Sequence, residues 1–588
     1  MRRLTTSIIL AVLAALTLSS IDSKACSNVL VTKGASTDGS NMISYAADSH
    51  QLYGELYFRK AAAWKPGDLR PVDDWDSGKH LGYIPEIANT YQRVGNMNEH
   101  QLIIAETTYG GRPELEDPKG IMDYGSLIYI ALERAKTARE AISIIVDLAN
   151  TYGYFSNGES FSLADKEEVW IMELIGKGPD NKGIVWVARR VPDGYICAHA
   201  NQARISTFPL NDPENCMYAP DVISFAREMG YFDGEDKDFS FCDAYAPLDF
   251  SGMRACEARA WSALNILCDG KFTFEDENGN IVTKDSYDYI DYAMGYDKTK
   301  RFPLFVKPSR KISVKDVADV MRDHYEGTPM DMTQDIGAGG NALPYRWRPM
   351  GFEYEGKKYI NERAIATQQT GFWFVGQSRG WLPDTIGGVN WFGCDDAATS
   401  YLTPIYTTTY DVPECFRVGN GNMITYSPTS AFWVTNRVAN ACYKAYDMMA
   451  PTVREAIDSW ENEMIAAVAK ADEEALKMYN EAGKKPRKQI KRNDKAQKVA
   501  DPYASVRNYL TEFSVNNAQK IFDKWVSLEQ LLLVKFIDGN VKAQNEDGSF
   551  VTNEHTNCIP AKISQPGYTQ KWKEAVVKDH GEVIVEHN

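Results

Sequence analysis

Residues 26–49, CSNVLVTKGASTDGSNMISYAADS, decide the fold of this chain. Two apolar runs flank Ser36-Thr37-Asp38-Gly39-Ser40, where Asp and Gly suit a tight reversal, so the stretch reads as a β-hairpin that begins at Cys26. Upstream, Arg2 and Arg3 make a basic start, Ile8 to Leu18 an apolar stretch, and Ser23 and Ala25 are small residues three and one positions before Cys26. That is the anatomy of a cleavable export signal over residues 1–25, and the protein is expected in the periplasm or outside the cell. A cut after Ala25 would make Cys26 the first residue. An N-terminal cysteine combines a thiol nucleophile with an α-amine, unperturbed pKa about 7.7–8.0, that can take up the thiol proton.

Two other readings of the start compete with this one. The apolar stretch is shorter than the roughly 20 residues a membrane span needs. A lipid-attachment site would acylate Cys26 and make the chain a non-catalytic, membrane-anchored binding lipoprotein. Such a site favours an aliphatic residue where Ser23 stands and a small one where Lys24 stands. Membrane association is therefore expected only if Cys26 is lipidated.

Removal of residues 1–25 takes the formal charge from −16 to −18, which argues against nucleic acid as a partner. The ten cysteines include no C-x-x-C pair, so neither a zinc ribbon nor a redox motif is visible, and no cofactor or metal is expected. If Cys26 stays reduced, nine remain, and at least one other thiol is expected free and buried.

Up to about residue 310 short apolar runs alternate with turn signals, with helical patterns at 123–150 and 254–268; this is mixed α and β. Strands are expected at 102–108, 160–164, 168–175, 184–190 and 194–199. After about 450 the character changes: 452–482 and 503–535 are helical in pattern, 484–498 form a basic linker, and the tail from 536 reads as short strands or coil. The expected units are 1–25, a catalytic body at 26–450 and a mainly helical region at 451–588. A homo-oligomer is possible.

The run from Cys26, with Asp38-Gly39-Ser40 and the strand-end Asp48, resembles the opening of the N-terminal-cysteine dipeptidases, the Ntn-hydrolase group that includes dipeptidase A and the secernins. Later blocks extend the likeness: NEHQLIIAETTYGG at 98–111, GESFSLADKEEVWIMELIGKG at 158–178, AHANQARI at 198–205, CEARAW at 256–261, HYEGTPMDMTQDIGAG at 324–339 and QSRGWLPDTIGGVNWFGCDDAATSYLTPIY at 377–406. The resemblance implies an α+β fold, the αββα four-layer sandwich, with a helical C-terminal extension. It also implies amide hydrolysis through a thioester on Cys26.

By similarity to the wider relatives, the choloylglycine hydrolases, Asn201 would face the oxyanion, with Thr108 standing where they place a second Asn. Asp48 would orient the α-amine, and Arg259 would hold positive charge near the thiol. Each has a structural alternative: a turn for Asn201, a local cap for Asp48, a surface ion pair for Arg259, a strand former for Thr108. A dipeptide substrate has both an ammonium and a carboxylate, so an acid such as Glu106 or Glu173 and a base such as Arg204 or Arg112 are expected at the cleft. Tyr45 stands where relatives carry a basic residue. An amidase acting on N-acyl amino acids or bile-salt-like conjugates is the alternative within the class. His199 reads as a structural strand-end histidine rather than half of a dyad, Asp395-Asp396 as a solvated loop pair, and the aromatics of 372–391 as core or pocket wall.

Overall fold

The computed structural model describes residues 26–347, 350–484 and 501–586. The export-signal reading of 1–25 and nearly all of the basic run at 484–498 lie outside the described residues. The architecture is mixed α and β with a helical C-terminal region.

The opening hairpin is β1 (Ser27–Val31) and β2 (Asn41–Asp48), antiparallel, with Ser27 opposite Ala46 and Val31 opposite Met42. Every residue of both strands is buried, which is why apolar and small residues fill them on both faces. The second sheet is built on β3 (Ile103–Gly110), β4 (Gly158–Ala164), β5 (Val169–Gly176) and β6 (Ile184–Arg190), consecutive antiparallel neighbours. Short strands at Cys216–Tyr218, Met97–Asn98, Arg93–Val94 and Phe58–Arg59 extend it to eight. The first sheet is completed by β7 (Ile196–His199) beside β1, and by β8 (Thr370–Ser378), β9 (Gly388–Cys394) and β10 (Thr403–Tyr406) beyond β2, six antiparallel strands in all.

The hairpin packs against β3 and β4 of the second sheet. Helices α1 (Tyr124–Arg134) and α2 (Ala138–Tyr152) lie on the second sheet; α3 (Ala258–Leu267) and α4 (Val314–Val320) contact the first. Asp123 caps α1 by accepting from the Gly125 and Ser126 backbone N–H groups. Two long helices, α5 (Tyr446–Lys484) and α6 (Ala504–Lys535), pack on β10, and Trp460 and Trp525 join the same core as the hairpin. Residue 450 therefore falls inside α5. The tail does hold short strands but ends in a helix, α7 (Gln570–Ile584), that its polar sequence did not suggest.

All ten cysteines are unpaired, nine of them buried and Cys558 exposed. Among the described residues no helix is long and apolar enough to cross a membrane, and no cluster of metal-ligating side chains occurs.

Candidate active site

Cys26 lies immediately before β1 and opens onto a cavity of about 200 Å³ that also receives Tyr45, Asp48, Glu106, Thr108 and Tyr124. Its Sγ lies 3.4 Å from Glu106 Oε1 and 3.8 Å from Tyr45 Oη, within reach of either for its single proton, and Tyr45 Oη donates to the same carboxylate oxygen at 2.5 Å. Burial, reinforced by the charges of Glu106 and Asp48, pushes the thiol well above the usual thiol range. The thiol is thus protonated at neutral pH and needs a base to become a nucleophile.

Asp48 ends β2, where the pairing with β8 shifts register: Ala47 faces Phe372 and Asp48 faces Thr370, with Gly371 the extra residue on β8. Its carboxylate accepts from Thr370 Oγ1 at 2.6 Å and is ion-paired with Arg363. Burial raises the Asp48 pKa while Arg363 and Arg259 oppose that rise.

Arg259 follows a π-helical stretch, Gly252–Glu257, into α3 and is 1% exposed. It donates to Ala255 O (2.7 Å), Cys26 O (2.6 Å), Ser27 Oγ (2.9 Å), Ala200 O (3.4 Å) and Asn201 Oδ1 (2.9 Å). So Arg259 is no surface ion-pair partner. It grips the Cys26 and Ala200 carbonyls, while burial and the carboxylates of Glu106 and Asp48 raise the thiol pKa.

Asn201 has φ +56, a left-handed conformation that asparagine tolerates better than most residues. A guanidinium only donates, so the bond from Arg259 fixes Oδ1 on that side and turns Nδ2 toward the Thr108 carbonyl, 2.6 Å away. The Thr108 hydroxyl donates to Glu159, its cross-strand partner on β4, at 2.9 Å. Thr108 thus bonds Glu159 through its hydroxyl and Asn201 through its carbonyl.

Glu159, Arg363 and Tyr124 escaped the sequence reading. Glu159 had left a signal: it is a carboxylate inside an apolar strand, and burial plus the neighbouring Glu106 charge raise its pKa well above the carboxylate range. Arg363 had left none, because it lies outside every recognisable block and meets Asp48 from 315 residues away.

Three expected substrate contacts do not line the cavity. Glu173 accepts the backbone N–H groups of Arg204 (2.6 Å) and Ile205 (3.1 Å), and burial pushes its pKa up to about 7. Arg204 is buried against Glu257, the Ala198 carbonyl and the Phe302 ring. Arg112 donates to Ala244 O and lies over Tyr231. Of the four expected groups only Glu106 lines the cavity; the other three hold the scaffold.

His199 sits between Thr107 Oγ1 (2.8 Å) and Ser162 Oγ (2.7 Å), and burial lowers its pKa to about 3, as a structural histidine. Asp395 and Asp396 are buried, not solvated: Asn436 donates to the first, Tyr443 to the second. Phe372, Trp373, Phe374 and Trp391 are core.

With this geometry stands a match to peptidase family C69 over residues 71–459, and the chain belongs to that family. The matched segment includes Glu106, Thr108, Asn201 and Arg259 and lies after Cys26. The chain is 24% identical over 473 residues to a probable dipeptidase of Latilactobacillus sakei, covering 77% of this chain and 89% of that protein. It is 23% identical over 487 residues to dipeptidase A of Lactobacillus helveticus (78% and 90% covered), and 27% identical over 361 residues to a dipeptidase of Bifidobacterium longum (55% and 63%).

Proposed function

We propose that the chain is exported, cut after Ala25, and then acts as a dipeptidase whose N-terminal Cys26 is the nucleophile and whose own α-amine is the base. The observation that carries this reading is the meeting of Cys26, Glu106 and Asp48 in one cavity, with Arg259 gripping the Cys26 carbonyl, in a member of a peptidase family whose relatives bear dipeptidase names. On this reading the two facing antiparallel sheets and their outer helices are the αββα sandwich of the Ntn-hydrolases.

The chemistry follows from the groups in place. The α-amine takes the thiol proton as the bond from Sγ to the scissile carbonyl carbon forms. Asn201, held by Arg259 and Thr108, supplies an amide donor to the oxyanion, a role typically worth roughly 3–4 kcal/mol. The protonated amine gives its proton to the leaving nitrogen as the C–N bond breaks and a thioester remains. Water then attacks the thioester, the amine again taking a proton, and the carboxylic acid and free thiol are released. Asp48 holds the amine in this cycle.

Glu106 receives the substrate's free ammonium. That nitrogen is two bonds, about 2.5 Å, from the scissile carbon, and a carboxylate oxygen 3.4 Å from Sγ stands at the matching depth.

The test is hydrolysis by protein that begins at Cys26, comparing dipeptides with N-acyl amino acids. Dipeptides are expected to turn over, and acetylation of their amine to slow hydrolysis by about 10²-fold, because it removes the charge that Glu106 meets. The rate should rise with pH through the amine's ionisation, near 7.7–8.0 when unperturbed, since only the neutral amine accepts a proton while the raised thiol stays protonated. Absence of dipeptide turnover, or faster turnover of N-acyl conjugates, would sink the assignment.

A further inference from the structure

Glu106 has a carboxylic neighbour that the reaction above does not use. Thr108 and Glu159 stand directly opposite one another on β3 and β4, and Glu106 lies two residues before Thr108, on the same face and diagonal to Glu159. The Thr108 hydroxyl is 2.9 Å from one Glu159 oxygen and 3.1 Å from the other. Glu159 is in turn within hydrogen-bond reach of Glu106. Both carboxyl groups are buried, Glu159 at 0% exposed and Glu106 at 1%.

A hydrogen bond between two carboxyl groups needs a proton on one of them, because two carboxylates only accept, and they repel. The surroundings place that proton on Glu159. Glu106 Oε1 accepts from Tyr45 at 2.5 Å and faces the thiol, while Oε2 is buried without an N–H or hydroxyl donor. An acid O–H on Glu159 is the donor that Oε2 lacks. Burial, then the Glu106 charge and the bond to Glu106, push the Glu159 pKa well above the carboxylate range, and the charge of Asp76 acts in the same direction. Tyr109, Tyr124 and Tyr154, which also feel Glu159, are uncharged near neutral pH.

We propose that Glu159 is a positioning residue for Glu106: it keeps the one proton that the two carboxyls share, donates it to Glu106, and leaves a single, fixed negative charge where the substrate's ammonium binds. A second charge there would repel the first and push the Glu106 side chain from its place beside the thiol. The inference rests on the assignment of the ammonium to Glu106 in the dipeptidase reading. It adds that a neutral donor at position 159 sets how strongly a free amine is preferred to a blocked one.

The experiment measures kcat/KM for Ala-Ala and N-acetyl-Ala-Ala with protein beginning at Cys26. Wild type is expected to prefer the free amine by about 10²-fold. Glu159→Gln, whose amide N–H replaces the acid O–H, is expected to keep that ratio. Glu159→Met, which fills similar space without a donor, is expected to lower it about tenfold, the scale of one hydrogen bond to a charged group. Damage to folding or to the oxyanion side slows both peptides and leaves the ratio unchanged, so the ratio reports on Glu106. Infrared spectra of wild type and Glu159→Gln near neutral pH are expected to differ by one protonated carboxyl band. A Met variant with the full ratio, a Gln variant that loses it as Met does, or spectra that show an ionised carboxylate at position 159 would overturn this inference and leave the dipeptidase reading standing. A wild type that shows no preference for the free amine, or that hydrolyses neither peptide, would overturn the assignment of Glu106 and this inference with it.

Discussion

Replacing Cys26 by serine or alanine is expected to lower kcat/KM for dipeptides by about 10⁴-fold or more, the scale seen when a catalytic nucleophile is removed. The fold is expected to survive. The side chains differ little in volume, and what the thiol loses is two long contacts, to Glu106 at 3.4 Å and Tyr45 at 3.8 Å. Tyr45 keeps its 2.5 Å bond to Glu106 in the variant, so no new buried polar atom is stranded there. Serine is the sharper variant, because it puts a hydroxyl in the place of the thiol, yet its far higher pKa makes it a poor substitute where the neighbouring charges are negative. Parallel hydrolysis assays and unfolding curves separate the two effects. Native turnover by the alanine variant would contradict the mechanism outright.

The second large effect is at Arg259. Its side chain is buried and serves acceptors on Ala255, Cys26, Ser27, Ala200 and Asn201, so Arg259→Ala leaves buried oxygens without donors and Asp48 with one cation fewer. The expected cost is about 3–5 kcal/mol of stability, read from urea unfolding, together with loss of activity. Arg259→Lys separates charge from geometry. It restores the charge but not the planar fork that spans the Cys26 carbonyl and Asn201, so it is expected to recover more stability than kcat. Equal recovery of both would show that only charge matters here. An alanine variant with native unfolding and native kcat/KM would remove Arg259 from the account.

How much of this was legible in the sequence depended on how local the signal was. The opening hairpin could be read because two apolar runs and the turn chemistry between them agree within 24 residues, and the strands at 103–110, 158–164, 169–176 and 184–190 fell within a few residues of their expected ends. Of the strands beyond β2, β9 and β10 stood in a recognisable block and β8 mostly before it, but none showed a partner; β8 pairs with β2 across more than 300 residues.

Charged residues were the hardest. Arg204 and Glu173 had the right chemistry for binding a dipeptide, and nothing local distinguished them from Glu106. Only the fold shows that Glu173 accepts the backbone of 204 and 205 while Glu106 meets the thiol. Asp395 and Asp396 read as a solvated loop because acidic pairs usually are, but here Asn436 and Tyr443 of the following helical segments cover them. Asp48 was named from its place at a strand end. Its partner Arg363, and the register shift on β8 that sets it against Thr370, required the assembled sheet.

The central claim is that Cys26 is an unmodified N-terminal residue in the working enzyme. The intact mass and first residue of the protein recovered after export test this most directly. The account predicts a chain that starts at Cys26 with a free amine and a free thiol and that hydrolyses dipeptides. A diacylglyceryl group on Cys26, or an active protein that retains residues upstream of it, would contradict the account, because the base assigned to the reaction would not exist.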